Sequence, residues 1–352
     1  MKLSTGKLYG KFSHPFGVIY NQKNINVRQK TLKKLKFYQN KKLNVLELGG
    51  TGQDAVAWAQ LGFNVTFLDL SKENIKKTKK FIKGKNLNLR CINKNFLKHN
   101  FKEKFNIIRS RGVIHHINQP EKVFLKVHKL LKDDGNFHFN LYRSGVFYYW
   151  FVENFRKFSK KINFKKFYEI LKTIKLTASE NKKIGNHTIK SVSKFYNIII
   201  DDLYVPTLMP ADYFEVKEFL IKNNFKIIKE NKIKRRLDHN LLYPDFPLKK
   251  EHIVFDTQKI NKKNFLKKSI LSYKKNSQIN LTKKDAIINS NNKAFKNLYK
   301  LMIKKKLYNN KKFIKNVIEL YKNCWLLSVK KGTKFTKHKK LKKEIDKIYN
   351  EF

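Results

Sequence analysis

Between residues 43 and 141, short apolar runs alternate with amphipathic stretches, and this alternation leaves few folds open. Leu43 to Leu48 reads as a buried strand and Asp54 to Leu61 as a helix. Asn64 to Asp69 is a second strand. Ser71 is placed to cap a helix that carries Ile75, Thr78 and Ile82 on one face. Leu87 to Ile92 and Phe105 to Ser110 read as strands three and four. Pro120 suits the first turn of a helix with an inner face of Val123, Val127, Leu130 and Leu131. Asp134-Gly135 is expected to turn the chain into a fifth strand, Asn136 to Leu141. Strand and helix alternating at this pitch predict an α/β fold with a parallel sheet and right-handed crossovers. Ligands of such sheets bind beyond the carboxyl ends of the strands, near the switch in strand order.

The segment VLELGGTGQDA, residues 45 to 55, leaves the first strand and enters the next helix. Its glycines allow close backbone approach to a ligand, and the free N–H groups of a helix start favour an anion. Glu47 stands at the strand end, where it can orient the loop and receive an ammonium group. Asp69, in FLDLS, closes the second strand and can accept hydrogen bonds from both hydroxyls of a ribose. These residues predict an adenosine-bearing ligand without choosing one. Gly50 to Ala55 also fits the dinucleotide pattern G-x-G-x-x-A, so a nicotinamide-dependent oxidoreductase stays open here.

Residues 43 to 141 as a whole resemble the class I methyltransferase family, which uses S-adenosylmethionine. ELGGTG resembles the family's first motif and LDLS its acidic second-strand motif. FNIIRSRGVIHHI resembles the fourth-strand motif, with Asn106 where Asp is usual, and VFLKVHKLLKDDGNFHFNLY the helix and strand that follow. The resemblance implies a Rossmann-like sheet of seven strands. It implies cofactor contacts at Glu47, Gly49, Gly50, Gly52 and Asp69, an adenine contact near Asn95 and Phe96, and a pocket wall around Ser110 and Gly112. The glycine loop is one residue shorter than the usual E-x-G-x-G-x-G, Asn95 replaces an acidic residue, and Asp133-Asp134-Gly135 replaces a Pro-Gly-Gly turn.

The rest of the chain frames this core. Residues 1–42 form a basic cap in which KFSHPFGVIYN is placed to cover a pocket and Val27 to Leu35 to form a short helix. Residues 142–211 read as a helical insertion or lid. Residues 212–257 complete the sheet, with a helix near Ala211 to Lys222 and strands at Phe225 to Glu230 and His252 to Asp256. Residues 258–352 read as a basic helical extension with Phe295, Leu298, Tyr299 and Met302 at helical spacing. Its end, Lys330 to Lys343, is expected to fray. The aromatic run Phe147 to Phe151 reads as helix core, and Asp201-Asp202 and Arg235-Arg236 as solvated surface.

His115 and His116 close the fourth strand, and either can take a proton from an acceptor. With Tyr142 they are the expected catalytic residues; Tyr204 and His187 are further lid residues. The expected reaction is methyl transfer to an O, N or C centre of a small molecule. Methylation of RNA or protein is the alternative within the same chemistry. The formal charge of +54 favours an anionic acceptor. Of the 80 basic residues, 72 are Lys and 8 are Arg, with Asn and Ile also abundant. That bias fits AT-rich codons better than a nucleic-acid surface, which needs more Arg for bidentate contacts, so nucleic acid is possible but not favoured as a partner. No apolar run reaches the roughly 18 residues of a spanning helix. Cys91 and Cys324 form no metal-ligand pattern, so no metal is expected, and two lone thiols suit a reducing, cytoplasmic setting. Nothing in the residues sets an oligomeric state.

Overall fold

The computed structural model describes residues 8, 20–35, 38, 42–144, 147–175, 192–231, 252–260, 286–329 and 336–352. Its centre is a seven-stranded sheet of order β3-β2-β1-β4-β5-β7-β6. The strands are β1 (Asn44–Leu48), β2 (Asn64–Asp69), β3 (Leu89–Asn93), β4 (Phe105–Arg111), β5 (Leu131–Tyr142), β6 (Phe225–Glu230) and β7 (His252–Lys259). Strands β1 to β5 pair in parallel; β7 runs antiparallel to both β5 and β6. The strand order reverses between β1 and β4, which is where a doubly wound sheet opens its ligand crevice.

Apolar alternation puts side chains of each strand on both faces. Val45, Val65, Phe67 and Ile107 pack under α1 (Gln22–Leu32), α2 (Gln53–Gln60) and α3 (Lys72–Ile82). Leu46, Leu48, Ile108, Phe137, Phe139 and Phe255 pack on the opposite face, under α4 (Pro120–Leu130) and α8 (Tyr213–Lys222). The expected cap at Ser71 is present, and the structure adds a second at Asp212. Ser71 accepts the Asn74 N–H, and Asp212 accepts the N–H groups of Phe214 and Glu215, which delays the start of α8 to Tyr213.

The fifth strand is longer than expected. It begins at Leu131, which pairs with Phe105, and the ladder shifts register before resuming at Ile107–Asn136. Asp134 takes a left-handed φ of +58°, and a Cβ on Gly135 would stand 2.9 Å from the Lys132 carbonyl oxygen. The expected turn is thus an irregularity inside one strand, because the pairing on both sides of it outlasts the break.

The remaining helices form a second body. α5 (Phe147–Ser159), α6 (Phe164–Leu171) and α7 (Val192–Tyr204) come from the insertion; α9 (Ala286–Lys304), α10 (Lys311–Val329) and α11 (Thr336–Glu351) come from the extension. Phe155, Phe158, Leu203, Phe295, Leu298, Tyr321, Leu341 and Ile345 share one buried core. This corrects two expectations. Residues 336–343 do not fray, because Leu341, Ile345 and Ile348 bury one face of α11. Asp201 and Asp202 are buried, with Asp202 accepting the Tyr321 hydroxyl across the insertion and the extension. Tyr149 and Phe151 are core residues of α5 as expected. Arg235-Arg236 and His187 lie outside the described residues. Among the described residues no helix is long and apolar enough to cross a membrane.

Candidate functional site

The glycine turn after β1 is shaped by backbone angles that side chains resist. Gly49, Gly50 and Gly52 take φ values of +69°, +87° and +79°. A Cβ on Gly49 would meet Val113 at 2.6 Å, and one on Gly52 would meet the Tyr20 hydroxyl oxygen at 2.6 Å. A Cβ on Gly50 would meet nothing within 4 Å, so the turn is open there. Gly49 and Gly52 are thus required by the protein's own packing, and Gly50 is the glycine of the three that faces open space. Tyr20, the last residue of the KFSHPFGVIYN stretch but one, lies on this turn: its hydroxyl donates to the Thr51 carbonyl and lies 2.6 Å from the Thr78 hydroxyl. Asn74 holds the turn from α3 by donating to the Gly50 carbonyl at 3.0 Å.

Asp69 ends the neighbouring strand. Gly49 N–H donates to the Leu68 carbonyl at 2.7 Å, so glycine turn and acidic strand end adjoin one another. One Asp69 oxygen accepts the Ser71 N–H at 2.5 Å. Burial pushes its carboxyl up to about 7, only partly opposed by that hydrogen bond. The residue is therefore held in place yet retains capacity to accept from ribose hydroxyls.

Glu47 is tied to a charge network that no local pattern announces. Its Oε1 lies 2.7 Å from Arg109 Nη1 on the adjoining strand, and the same guanidinium group lies 2.9 Å from Asp54 in the first turn of α2. Arg28 of α1 also pairs with Asp54, at 2.9 Å. Burial raises the Glu47 carboxyl to about 7 against the pull of Arg109. Burial acts the same way on Asp54, but Arg109 and Arg28 outweigh it and hold that carboxyl well below the usual range. Among the described residues, Glu47 Oε2 is buried with no hydrogen-bond partner, as is Ser110 Oγ on the other face of β4. The orphaned Glu47 oxygen, at the strand end that leads into the glycine turn, fits a polar ligand with an ammonium end. Asn95 is exposed and accepts the Leu97 N–H at 2.9 Å. The Phe96 ring is core, packed toward Phe101, so its side chain does not face an open crevice.

The three expected catalytic residues do converge. His115 and His116 form a single 3-10 turn after β4, and Tyr142 ends β5. The Tyr142 ring stacks on His115 at 3.5 Å and on Tyr149 at 4.6 Å, with the His116 ring edge-on at 5.9 Å. Both faces of the Tyr142 ring are thus covered, which makes it a spacer that sets the imidazole positions. The tautomers follow from the partners. Tyr142 N–H donates to His115 Nδ1 at 3.3 Å, so the proton of neutral His115 sits on Nε2. His116 Nδ1 lies 2.9 Å from the Thr207 carbonyl, which only accepts, so its proton sits on Nδ1 and the basic lone pair on Nε2. Burial lowers the His116 pKa, against the opposing pull of Asp201, which favours this neutral form.

Sequence reasoning missed Arg109, Arg111, His138, His252 and Asp256. His252 pairs with Tyr142 across β5 and β7, and its ring lies 5.2 Å away edge-on. Burial, with Arg111 nearby, takes its pKa down to about 4. His138 Nδ1 is bonded to Asp256 between the same strands. Period-two alternation opposite the Phe137, Phe139 and Leu141 face was the available signal for these positions.

Residues 46–139 match the family model described as a methyltransferase domain. A comparison with curated proteins gives no match. Among solved structures, the chain is similar to TehB from Haemophilus influenzae, with 13% identity, TM-score 0.38, and coverage of 73% of this chain and 67% of that one. It is similar to a 1,6-didemethyltoxoflavin-N1-methyltransferase from Burkholderia thailandensis, with 14% identity, TM-score 0.37, and coverage of 68% and 78%. It is also similar to a magnesium protoporphyrin IX methyltransferase from Synechocystis PCC 6803, with 10% identity, TM-score 0.40, and coverage of 73% and 98%. The chain spans 46% of the length of a coclaurine N-methyltransferase and 54% of that of a sarcosine dimethylglycine methyltransferase-like protein from Galdieria sulphuraria. The family match decides between the two cofactors that the glycine turn alone left open.

Proposed function

We propose that this chain, whose residues 46–139 are a class I methyltransferase domain dependent on S-adenosylmethionine, transfers a methyl group to an O, N or C centre of a small molecule. The observation that carries the reading is the adjacency of the Gly49–Gly52 turn and Asp69 at the carboxyl ends of neighbouring parallel strands. In this reading Gly50 and the first turn of α2 receive a carboxylate, Glu47 an ammonium and Asp69 a ribose, supported by the open space at Gly50 and the unpartnered Glu47 oxygen. When bound there, S-adenosylmethionine supplies a methyl group already activated by its sulfonium, so alignment of the acceptor contributes much of the acceleration.

His116 is the proton acceptor in this reading, because its Nε2 carries the lone pair; His115 presents a donor instead. Tyr142, held between His115 and Tyr149, positions the pair. A cytoplasmic setting is supported by Cys91 and Cys324, both unpaired. The test is calorimetric titration of S-adenosylhomocysteine into wild type and Asp69→Ala. Binding by wild type with at least tenfold weakening in the variant is expected, on the order of 1.4 kcal/mol. Equal affinity removes Asp69 from the site, and thermal stabilisation by NAD alone replaces the cofactor.

A further inference from the structure

The charges that meet at the carboxyl ends of β1 and β4 do not balance. Arg28 and Arg109 share Glu47 and Asp54 between them. Arg111, two residues beyond Arg109 and so on the same face of β4, makes no hydrogen bond or ion pair with any described residue, and it is exposed. Three guanidinium groups thus face two carboxylates, and the unmatched one is at the mouth of the crevice.

Strand order says which ligand this cation faces. β1 and β2 carry the glycine turn and Asp69, hence the cofactor side. β4 lies on the other side of β1, next to β5 with Tyr142 and β7 with His252. Arg111 pairs with Asn140 of β5, and the Asn140 amide oxygen accepts the Gly112 N–H at 2.5 Å, which fixes the backbone that presents the guanidinium. Gly112, with φ +68° and open space where a Cβ would be, leaves the approach to Arg111 clear. A planar guanidinium presents a two-pronged donor set that matches a carboxylate or a phosphate.

We propose that Arg111 recognises an anionic group, carboxylate or phosphate, on the methyl acceptor. This names the substrate class of the site and rests on the methyl-transfer reading above. The anion docks against β4 while the atom to be methylated lies toward His116 and the cofactor side. Specificity for charge then comes from one side chain, and the many surface lysines contribute only a screened, non-directional field.

The test uses the full chain saturated with S-adenosylhomocysteine, with the Gly112 amide followed by NMR while inorganic phosphate or acetate is added. Sodium chloride at equal ionic strength is the reference, and Arg90→Met, which alters an exposed arginine paired with Glu103 on β3, is the control variant. A saturable shift at Gly112 is expected with phosphate, with acetate or with both, and the stronger of the two identifies the anion class. Arg111→Met should weaken that response about tenfold, Arg111→Lys should retain part of it, and Arg90→Met should leave it unchanged. S-adenosylhomocysteine affinity should be the same in all four proteins. A Gly112 response no different from chloride, or one that survives Arg111→Met, overturns the proposal. A tenfold loss of S-adenosylhomocysteine affinity in Arg111→Met also overturns it, by giving Arg111 to the cofactor. Failure of wild type to bind S-adenosylhomocysteine is a separate result that removes the methyl-transfer reading, and the anion titration without it still decides the role of Arg111.

Discussion

The sheet body and the helical body are held together by different chemistry. Inside the sheet body, Glu47, Asp54, Arg109 and Arg28 link β1, α2, β4 and α1 by charge, and His138 with Asp256 links β5 to β7. Inside the helical body, aromatic rings do the packing: Phe155 meets Phe295 at 5.2 Å and Tyr321 at 5.2 Å, both edge-on. Within it Arg156 donates to the carbonyls of Asp202 and Val205 at 2.7 Å each. Buried ion pairs give up much of their attraction to desolvation, so a hydrophobic core is the cheaper way to hold helices together. The network of Glu47, Asp54, Arg109 and Arg28 lies in the half that carries the glycine turn.

The bodies meet at the Tyr142–Tyr149 stack and along a strap, residues 205–211. Arg156 holds its start, His116 bonds to Thr207, Met209 N–H donates to the His115 carbonyl at 2.8 Å, and Ala211 N–H donates to the Tyr142 carbonyl at 2.8 Å. Packing of the helical body is thereby tied to the backbone around both histidines.

The contrast is sharpest at Arg109. Arg109→Met leaves Glu47 unpaired in the interior and should cost about 3–5 kcal/mol, measured by urea unfolding. Adding Glu47→Gln should recover part of that cost. A loss below about 1 kcal/mol would show that the sheet body does not depend on its charges. Leu298→Ala, in the core shared by insertion and extension, should cost about 3 kcal/mol in the same assay. It should leave S-adenosylhomocysteine affinity unchanged, and a large loss of affinity would erase the division between the bodies.

A smaller effect follows from Asp69. Its carboxyl is raised to about 7, and ribose hydroxyls donate to the ionised form, so cofactor binding favours proton loss. S-adenosylhomocysteine affinity should fall as pH drops below 7, by up to about tenfold per unit, or about 1.4 kcal/mol. Calorimetry from pH 5.5 to 8.5 reads it, and Asp69→Asn should flatten the curve. The free protein has the opposite trend from this group. Between the unfolded value of 3.8 and about 7 the folded state holds more protons, so its contribution to stability decreases as pH rises. The smallest effect is at Asn163, whose side chain caps α6 by accepting the Lys166 N–H at 3.3 Å. Asn163→Ala should cost about 1 kcal/mol in thermal unfolding, with no change in ligand binding.

The sheet was legible because strands and helices with one buried face leave periodic traces, and the glycine turn because left-handed backbone admits few residues. The convergence of His115, His116 and Tyr142 was legible as well, since β4 and β5 are neighbours in an alternating α/β chain. The role of Tyr142 was not, because a ring covered on both faces is known only once α5 has packed behind it. Asp201 and Asp202 read as surface because a charged pair on a helix has no local sign of a partner 119 residues away at Tyr321.

Residues 43–141 settled, from their own order and spacing, the strand–turn–helix units, the glycine turn and the acidic strand end. These are local properties, set by allowed backbone angles and by the period of apolar side chains. Tertiary structure decided that Glu47 pairs with Arg109, that Arg111 is left unmatched, that the lone pair of His116 is on Nε2, and that insertion and extension share one core. Each of these depends on groups distant in the chain coming within hydrogen-bond or van der Waals reach, and pair interactions across such separations leave no periodic trace in a sequence.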